Sequence, residues 1–274
     1  MPLSPLLRRY DHVLLDLDGC VWVGDEATPG AVDAVAALRE AGKGLAFVTN
    51  DARHAGEDFV RKLWRLGFQA SLEEVVTVGG ALQHWLAGRR DRAATAFVIG
   101  SAAIWRHVED AGLRIVNDTD LAGRADVVVV AGHDDFDYAE LRGATQAVAR
   151  GAALVTAGRD PTFPMPDGPW PGTGSIVAAV EAATGARALS VGKPEAALFE
   201  TALDRLGARG QGGDGAALVV GDRVDADLAG ATAAGLDAAL VLSGATDRAA
   251  AEAVREPRPV AVADTLADLV LRRA

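Results

Sequence analysis

The chain has 274 residues, half of them hydrophobic, enough for one or two domains with a large buried core at about 150 residues per domain. Its formal net charge of −11 argues against a nucleic-acid or anionic-membrane partner, so any anion it handles must meet a few well-placed cations. A single cysteine, Cys20, excludes an internal disulfide framework and any multi-cysteine metal site.

From the N-terminus, Met1–Tyr10 lacks the apolar stretch of a signal peptide. No later run approaches the roughly 18 apolar residues of a membrane helix, so a soluble, cytoplasmic protein is expected. Apolar runs of strand length then recur at His12–Leu15, Leu45–Val48, Ala96–Ile99, Asp126–Val130, Ala152–Val155, Ala188–Val191, Ala216–Val220 and Ala238–Leu242. Helical periodicity lies between many of them, at Ala31–Ala41, Glu57–Leu66, Tyr138–Ala149 and Ile176–Ala183. Continuous apolar strands alternating with helices predict an α/β fold with a doubly wound parallel sheet. Such a sheet places the C-terminal ends of its strands on one edge, where ligands usually sit. The stretch Pro161–Gly174, dense in proline and glycine, predicts a long irregular loop, with Thr173 and Ser175 placed to cap the helix after it. Gly207–Gly215 predicts a surface loop before a strand.

The chemistry concentrates at the ends of the predicted strands. The first runs into Asp16-Leu17-Asp18-Gly19. Two like charges about 4 Å apart repel by roughly 4 kcal/mol at an effective dielectric near 20. A cation or a shared proton relieves that repulsion; the plainer alternative is a pair of turn-capping aspartates. The second strand ends in Thr49-Asn50-Asp51, a hydroxyl and amide suited to a phosphoryl oxygen, or else an ordinary turn into the helix that starts near His54. Ser190-Val191-Gly192-Lys193-Pro194 sets a lysine just after a strand, where a solvated charge is the plainer reading. Gly221-Asp222-Arg223-Val224-Asp225-Ala226-Asp227 follows another buried strand with several acids, which invites a metal.

In this order (acid pair, Thr-Asn, Lys-Pro, then Gly-Asp with a second Asp five residues on) the four segments match the signature motifs of the haloacid dehalogenase superfamily, which the chain resembles from Asp16 to beyond Asp227. The insert before Lys193, with PGTGSIVAAVEAATGARALSVGKP, is similar to the large α/β cap of the subclass IIA phosphatases. The resemblance implies a Rossmann-like catalytic core at 1–83 and 188–274 and an inserted α/β cap at 84–187 that sets substrate specificity. It implies Mg²⁺ held by Asp16, Asp222 and the main-chain carbonyl of Asp18. Asp16 is then the nucleophile, Asp18 the general acid and base, Lys193 the cation that steadies nucleophile and phosphoryl group, and Asp227 a supporting acid. Thr49 and Asn50 match the phosphate-binding positions. Two residues depart from the pattern: Cys20 stands where Thr or Val is common, and Asp51 where a second Asn is frequent, adding a negative charge beside the site.

Outside the motifs, Arg53 either holds an anionic substrate group or is a solvated helix-start arginine. Trp22 and Gly24 either line an entrance or pack, and Cys20 reads as a small buried thiol rather than a nucleophile, with no histidine near it in sequence. The five histidines show no zinc-ligand spacing, and neither a dinucleotide-binding nor a P-loop glycine pattern occurs. The implied function is hydrolysis of a small phosphate monoester through an aspartyl-phosphate; the rival is a phosphoacceptor or metabolite-binding module of the same fold without turnover. A mutase is disfavoured by the cap and a dehalogenase by the presence of Asp18. Glycerol phosphate or a related small metabolite is expected over pyridoxal phosphate, because Asp160-Pro161-Thr162-Phe163 sets Phe163 where the vitamin-phosphatase branch tends to carry histidine. Homodimerisation is left open.

Overall fold

The computed structural model describes residues 2–89, 91–165, 167–208 and 216–272, with the side chains of 163–165 outside that description. The chain divides into two compact units, one formed by Met1–Thr49, Gly56–Val76 and Lys193–Ala274, the other by Asn50–Ala55 and Thr77–Gly192.

The first unit begins with β1 (His12–Asp16), the short hairpin β2 (Trp22–Val23) and β3 (Glu26–Ala27), α1 (Ala31–Glu40), β4 (Gly44–Thr49), α2 (Gly56–Arg65) and β5 (Val75–Thr77). The second contains α3 (Val78–Ala87), β6 (Thr95–Ile99), α4 (Ala102–Asp110), β7 (Arg114–Ile115), β8 (Val127–Val130), α5 (Tyr138–Ala149), β9 (Ala153–Thr156), β10 (Thr162–Met165), β11 (Gly168–Pro171), α6 (Thr173–Thr184) and β12 (Leu189–Ser190). The chain then completes the first unit with α7 (Ala197–Arg205), β13 (Ala217–Gly221), α8 (Ala229–Ala233), β14 (Asp237–Val241), α9 (Arg248–Ala253), β15 (Ala261–Ala263) and α10 (Leu266–Val270).

All eight predicted strands form, because each is an apolar run that a sheet covered on both faces can bury. The first unit carries a six-stranded sheet in the order β15-β14-β13-β1-β4-β5, parallel from β15 through β4. From β1 the chain steps one way to β4 and β5 and later returns on the other side as β13, β14 and β15. That reversal makes the β1/β13 boundary a switch point, where a crevice opens at the C-terminal strand ends. Val13, Leu15, Phe47, Leu218 and Val220 are buried in one core cluster of this unit. The second unit carries a parallel sheet in the order β12-β9-β8-β6-β7, with a separate core that includes Ile99, Val128, Val130 and Val177.

The expected loop at 161–174 is instead largely an antiparallel hairpin: Thr162 pairs with Pro171 and Phe163 with Trp170. Proline is tolerated there because both strands of a two-stranded ribbon are edges, and a missing N–H can point out of the ladder. Thr173 does not cap α6 but is its first residue; the N-cap is Gly172 and makes no side-chain bond. Ser175 Oγ donates to Pro161 O at 2.7 Å, closing the hairpin rather than the helix end. Of the expected loop Gly207–Gly215, residues 209–215 lie outside the described ones.

Candidate active site

Asp16 is the last residue of β1 and pairs in register with Val48 of β4, so Thr49 stands one residue further along the same edge. Thr49 is buried. Lys193 reaches this edge: its Nζ donates to Asp16 Oδ1, to Asp227 Oδ1 at 2.7 Å and to Val48 O at 3.4 Å. Its side chain is only 3% exposed, so the solvated-lysine reading does not hold. Burial alone would lower the lysine pKa, but the Asp16 and Asp227 carboxylates together hold it above the ordinary range. Lys193 is therefore a fixed cation.

Asp227 lies in a π-type turn, Val224–Leu228, that leads directly into α8. Such an expanded turn re-aims a side chain without ending the helix. Both Asp227 oxygens are engaged, Oδ1 by Lys193 and Oδ2 by the Arg223 N–H at 3.0 Å. The carboxylate presses on the backbone of Gly221, where a Cβ would fall 2.2 Å from Asp227 Cγ.

Asp222 sits just past the end of β13 and is clamped between two glycines. A Cβ on Gly19 would lie 2.3 Å from Asp222 Oδ2, and one on Gly244 2.0 Å from it. The same Oδ2 accepts the Ala245 N–H at 2.5 Å, while Ser243 Oγ donates to Gly19 O at 2.6 Å. Asp222 Oδ1 is buried and has no hydrogen-bond partner. Burial raises the Asp222 pKa, partly countered by the Ala245 N–H. Carboxylate oxygens of Asp16, Asp222 and Asp227 all lie within 4.8 Å of one another. Burial, and then the neighbouring Asp227 and Asp222, push Asp16 up to about 8 against the pull of Lys193. Three acids and one ammonium in a dry place cannot all hold their charge unaided, and a divalent cation bound there would favour the ionised form of each.

Asp18 is exposed at the start of the turn, and its Oδ1 accepts the indole N–H of Trp22 at 2.7 Å. Trp22 is fully buried, so of its two sequence readings packing holds and lining an entrance does not. Cys20 is buried too, its Sγ 3.7 Å from Val220 O. Burial, then the Asp16 charge, drives its thiol well above the ordinary range, which keeps it inert.

Asn50, Asp51 and Arg53 belong to the second unit. The charge that Asp51 adds is answered locally: Oδ1 accepts the Arg53 N–H at 2.7 Å and lies 3.8 Å from Arg53 Nε, and Oδ2 faces His54 Nδ1 at 2.8 Å. Arg53 remains 40% exposed in its side chain. The Phe163 side chain lies outside the described residues.

Sequence reasoning missed the loop Ser243-Gly244-Ala245 after β14 and the bond from Trp22 to Asp18. The first was findable: an apolar run ending in a polar residue and glycine repeats the pattern of Asp18-Gly19.

A family model described as haloacid dehalogenase-like hydrolase matches residues 13–114, and a second, HAD-hydrolase-like, matches 190–269. The D-glycerol 3-phosphate phosphatase of Mycobacterium tuberculosis is 38% identical over 258 residues, covering 93% of this chain and 70% of that protein. Chronophin of Homo sapiens is 34% identical over 253 residues, covering 88% and 84%. Among solved structures, glycerol phosphate phosphatase from Mycobacterium tuberculosis in complex with magnesium superposes with a TM-score of 0.85 at 37% identity, over 96% of this chain and 77% of that one. The p-nitrophenyl phosphatase from Archaeoglobus fulgidus gives 0.84 at 29% identity, over 95% and 98%.

Proposed function

The chain belongs to the haloacid dehalogenase-like hydrolases, and we propose that it is a magnesium-dependent phosphatase in which Asp16 attacks the phosphorus of a small phosphate monoester. The observation that carries this reading is the buried cluster of Asp16, Asp222 and Asp227 around Lys193, with Asp222 Oδ1 lacking a partner. That donor set suits a hard cation that takes oxygen ligands. Asp16, Asp222 and the Asp18 main-chain carbonyl would hold Mg²⁺, which when bound offsets negative charge between phosphate and carboxylates. Asp227, with both oxygens engaged, acts as support behind Lys193 rather than as a ligand.

A carboxylate of Asp16 attacks in line with the leaving oxygen, forming an Asp16–phosphorus bond. The phosphorus–oxygen bond to the alcohol breaks, its electron pair stays on the alcohol oxygen, and that oxygen takes a proton from Asp18. Water then attacks the aspartyl-phosphate and gives a proton to Asp18, releasing phosphate and restoring the Asp16 carboxylate. Lys193 keeps a positive charge on the nucleophile's side throughout. Thr49 and Asn50 hold phosphoryl oxygens, and Arg53 would bind an anionic group elsewhere on a substrate that carries one.

The inserted unit, expected at 84–187 and compact over 77–192, serves in this reading as a cap that selects the substrate. Similarity to a D-glycerol 3-phosphate phosphatase at 38% identity supports a small polyol phosphate. The absence of an imidazole at Phe163 weighs against pyridoxal phosphate by about one hydrogen bond, roughly 1 kcal/mol. Comparison of glycerol phosphate, phosphoglycolate and pyridoxal phosphate by kcat/KM, with Mg²⁺ and with chelator, tests the reading. Mg²⁺-dependent phosphate release with glycerol phosphate ahead is the expected result. No release from any of these or from 4-nitrophenyl phosphate would favour the rival without turnover. Pyridoxal phosphate as the best substrate, or a ranking unmoved by Phe163→His, would remove the substrate assignment.

A further inference from the structure

Trp22 spends its one polar atom on Asp18. The indole is fully buried and stacked on Phe59 with ring centroids 6.5 Å apart and planes 7° from parallel. Lys62 Nζ lies 4.4 Å from the ring centroid. The backbone repeats the tie, since Gly19 N–H donates to Trp22 O at 2.7 Å and the Trp22 N–H to Leu17 O at 3.1 Å. A ring fully buried, stacked on Phe59 and tied at its backbone leaves its N–H little freedom, and at 2.7 Å from it stands Asp18 Oδ1. Asp18 is otherwise an exposed carboxylate on a turn, whose side chain would sample several rotamers.

We propose that Trp22 is the positioning residue for the acid–base step: its indole N–H holds Asp18 Oδ1 so that Oδ2 alone exchanges the proton with the leaving oxygen and then with water. The inference rests on the reading of Asp18 as general acid and base. General acid–base groups gain about 10²–10⁴-fold only when held within hydrogen-bond reach of the reacting atom. The stack on Phe59 supplies that rigidity at a position where the carboxylate has none of its own.

The test uses the leaving group as the reporter. Breaking an alkyl phosphate ester leaves a basic alkoxide that needs the Asp18 proton, whereas 4-nitrophenolate departs without one. Trp22→Phe keeps a ring in the stack and removes the N–H. Its kcat on glycerol phosphate should fall about tenfold with KM within about twofold, and its kcat on 4-nitrophenyl phosphate should fall by less than about threefold. In an Asp18→Asn background the same substitution should cost almost nothing further on glycerol phosphate. Replacing the indole by benzothiophene, which keeps the ring outline and lacks only the N–H, gives the same comparison without a cavity. In metal-free, 15N-labelled protein the Trp22 indole resonance should move on Asp18→Asn, a readout independent of turnover.

Equal loss on both substrates, or an indole resonance indifferent to Asp18→Asn, would overturn the positioning role while the wild type still turns over. A wild type that releases no phosphate, or Asp16→Asn that still does, would overturn both this inference and the reaction it rests on.

Discussion

The two parallel sheets of this chain are built alike and furnished differently. Each turns back on itself beside its first strand in chain order, β13-β1-β4 in one unit and β8-β6-β7 in the other. Each therefore has a switch point where a ligand could sit. In the first unit the strand ends carry Asp16, Thr49 and Gly221-Asp222, and Asp16, Lys193, Asp222 and Asp227 are buried. In the second unit the corresponding ends read Gly100, Ala131 and Ala157, and Thr156 closes its hydroxyl on Gly158 O at 2.8 Å. Among the described residues, its buried polar side chains are the neutral Thr77, Thr156 and Ser190. A switch point is thus an opportunity that architecture provides twice and side-chain chemistry takes once. The charged edge carries a desolvation cost that Lys193 and backbone N–H groups offset in part and that a bound cation would offset further; the neutral edge carries none.

The largest expected effect breaks the charged edge at its centre. Asp16→Asn should lower kcat by more than about 10³-fold with the fold intact, since an amide is a poor nucleophile and a poorer ligand. A purified variant retaining a tenth of wild-type kcat would end the assignment. Next, Asp222→Ala should weaken Mg²⁺ about tenfold or more, with activity partly regained at high metal. Titration calorimetry giving equal Mg²⁺ affinity in wild type and variant would take Asp222 out of the metal's ligands.

The second unit should instead answer in stability. Glu181 on α6 accepts Arg159 Nη2 at 2.9 Å and the Ala188 N–H at 2.7 Å, joining the helix to the chain entering β12. The Arg159 bond, ahead of the Ala188 N–H, holds the Glu181 pKa below 4.5. Its stabilisation is therefore present above that pH and lost as the pH falls through the lowered folded value. Glu181→Ala should cost about 1–2 kcal/mol at neutral pH and flatten the acid limb of the melting curve, with kcat little changed. A loss of turnover larger than the loss of stability would blur the contrast between the units.

The smallest effect lies in the first unit, away from the strand ends that carry the acids. Burial, and then the bond from Tyr10 to Asp237 at 2.7 Å, raise Tyr10 from 10.0 to about 12. The fold thus favours the neutral phenol: its contribution is complete below pH 10 and declines as the pH rises from there through 12. Tyr10→Phe should cost about 1 kcal/mol or less and remove part of the alkaline destabilisation. A variant melting as steeply with pH as the wild type would refute the linkage.

Much of this was legible without coordinates. Each strand of the parallel sheets that was read from the sequence is an apolar run, and burial on both faces makes such runs recognisable. β5, β7 and β15, strands of two or three residues, and the hairpin at 162–171 were not legible, the short strands for want of a period and the hairpin because four prolines mask a ribbon that tolerates them. The order of the acid, Thr-Asn, Lys-Pro and Gly-Asp segments pointed to the chemistry because each side chain's charge and strand-end position is a local property.

What folding alone decided is which of those groups meet, and with what left over. Lys193 joins Asp16 across 177 residues of chain, and the Asp222 carboxylate slots between Gly19 and Gly244. One Asp222 oxygen is left without a partner, and the Trp22 indole N–H is spent on Asp18. Sequence specifies the identity of each polar atom. Whether that atom ends paired, clamped or unsatisfied depends on the distances the packed core imposes, and those fix how each charge is screened and where each proton can go.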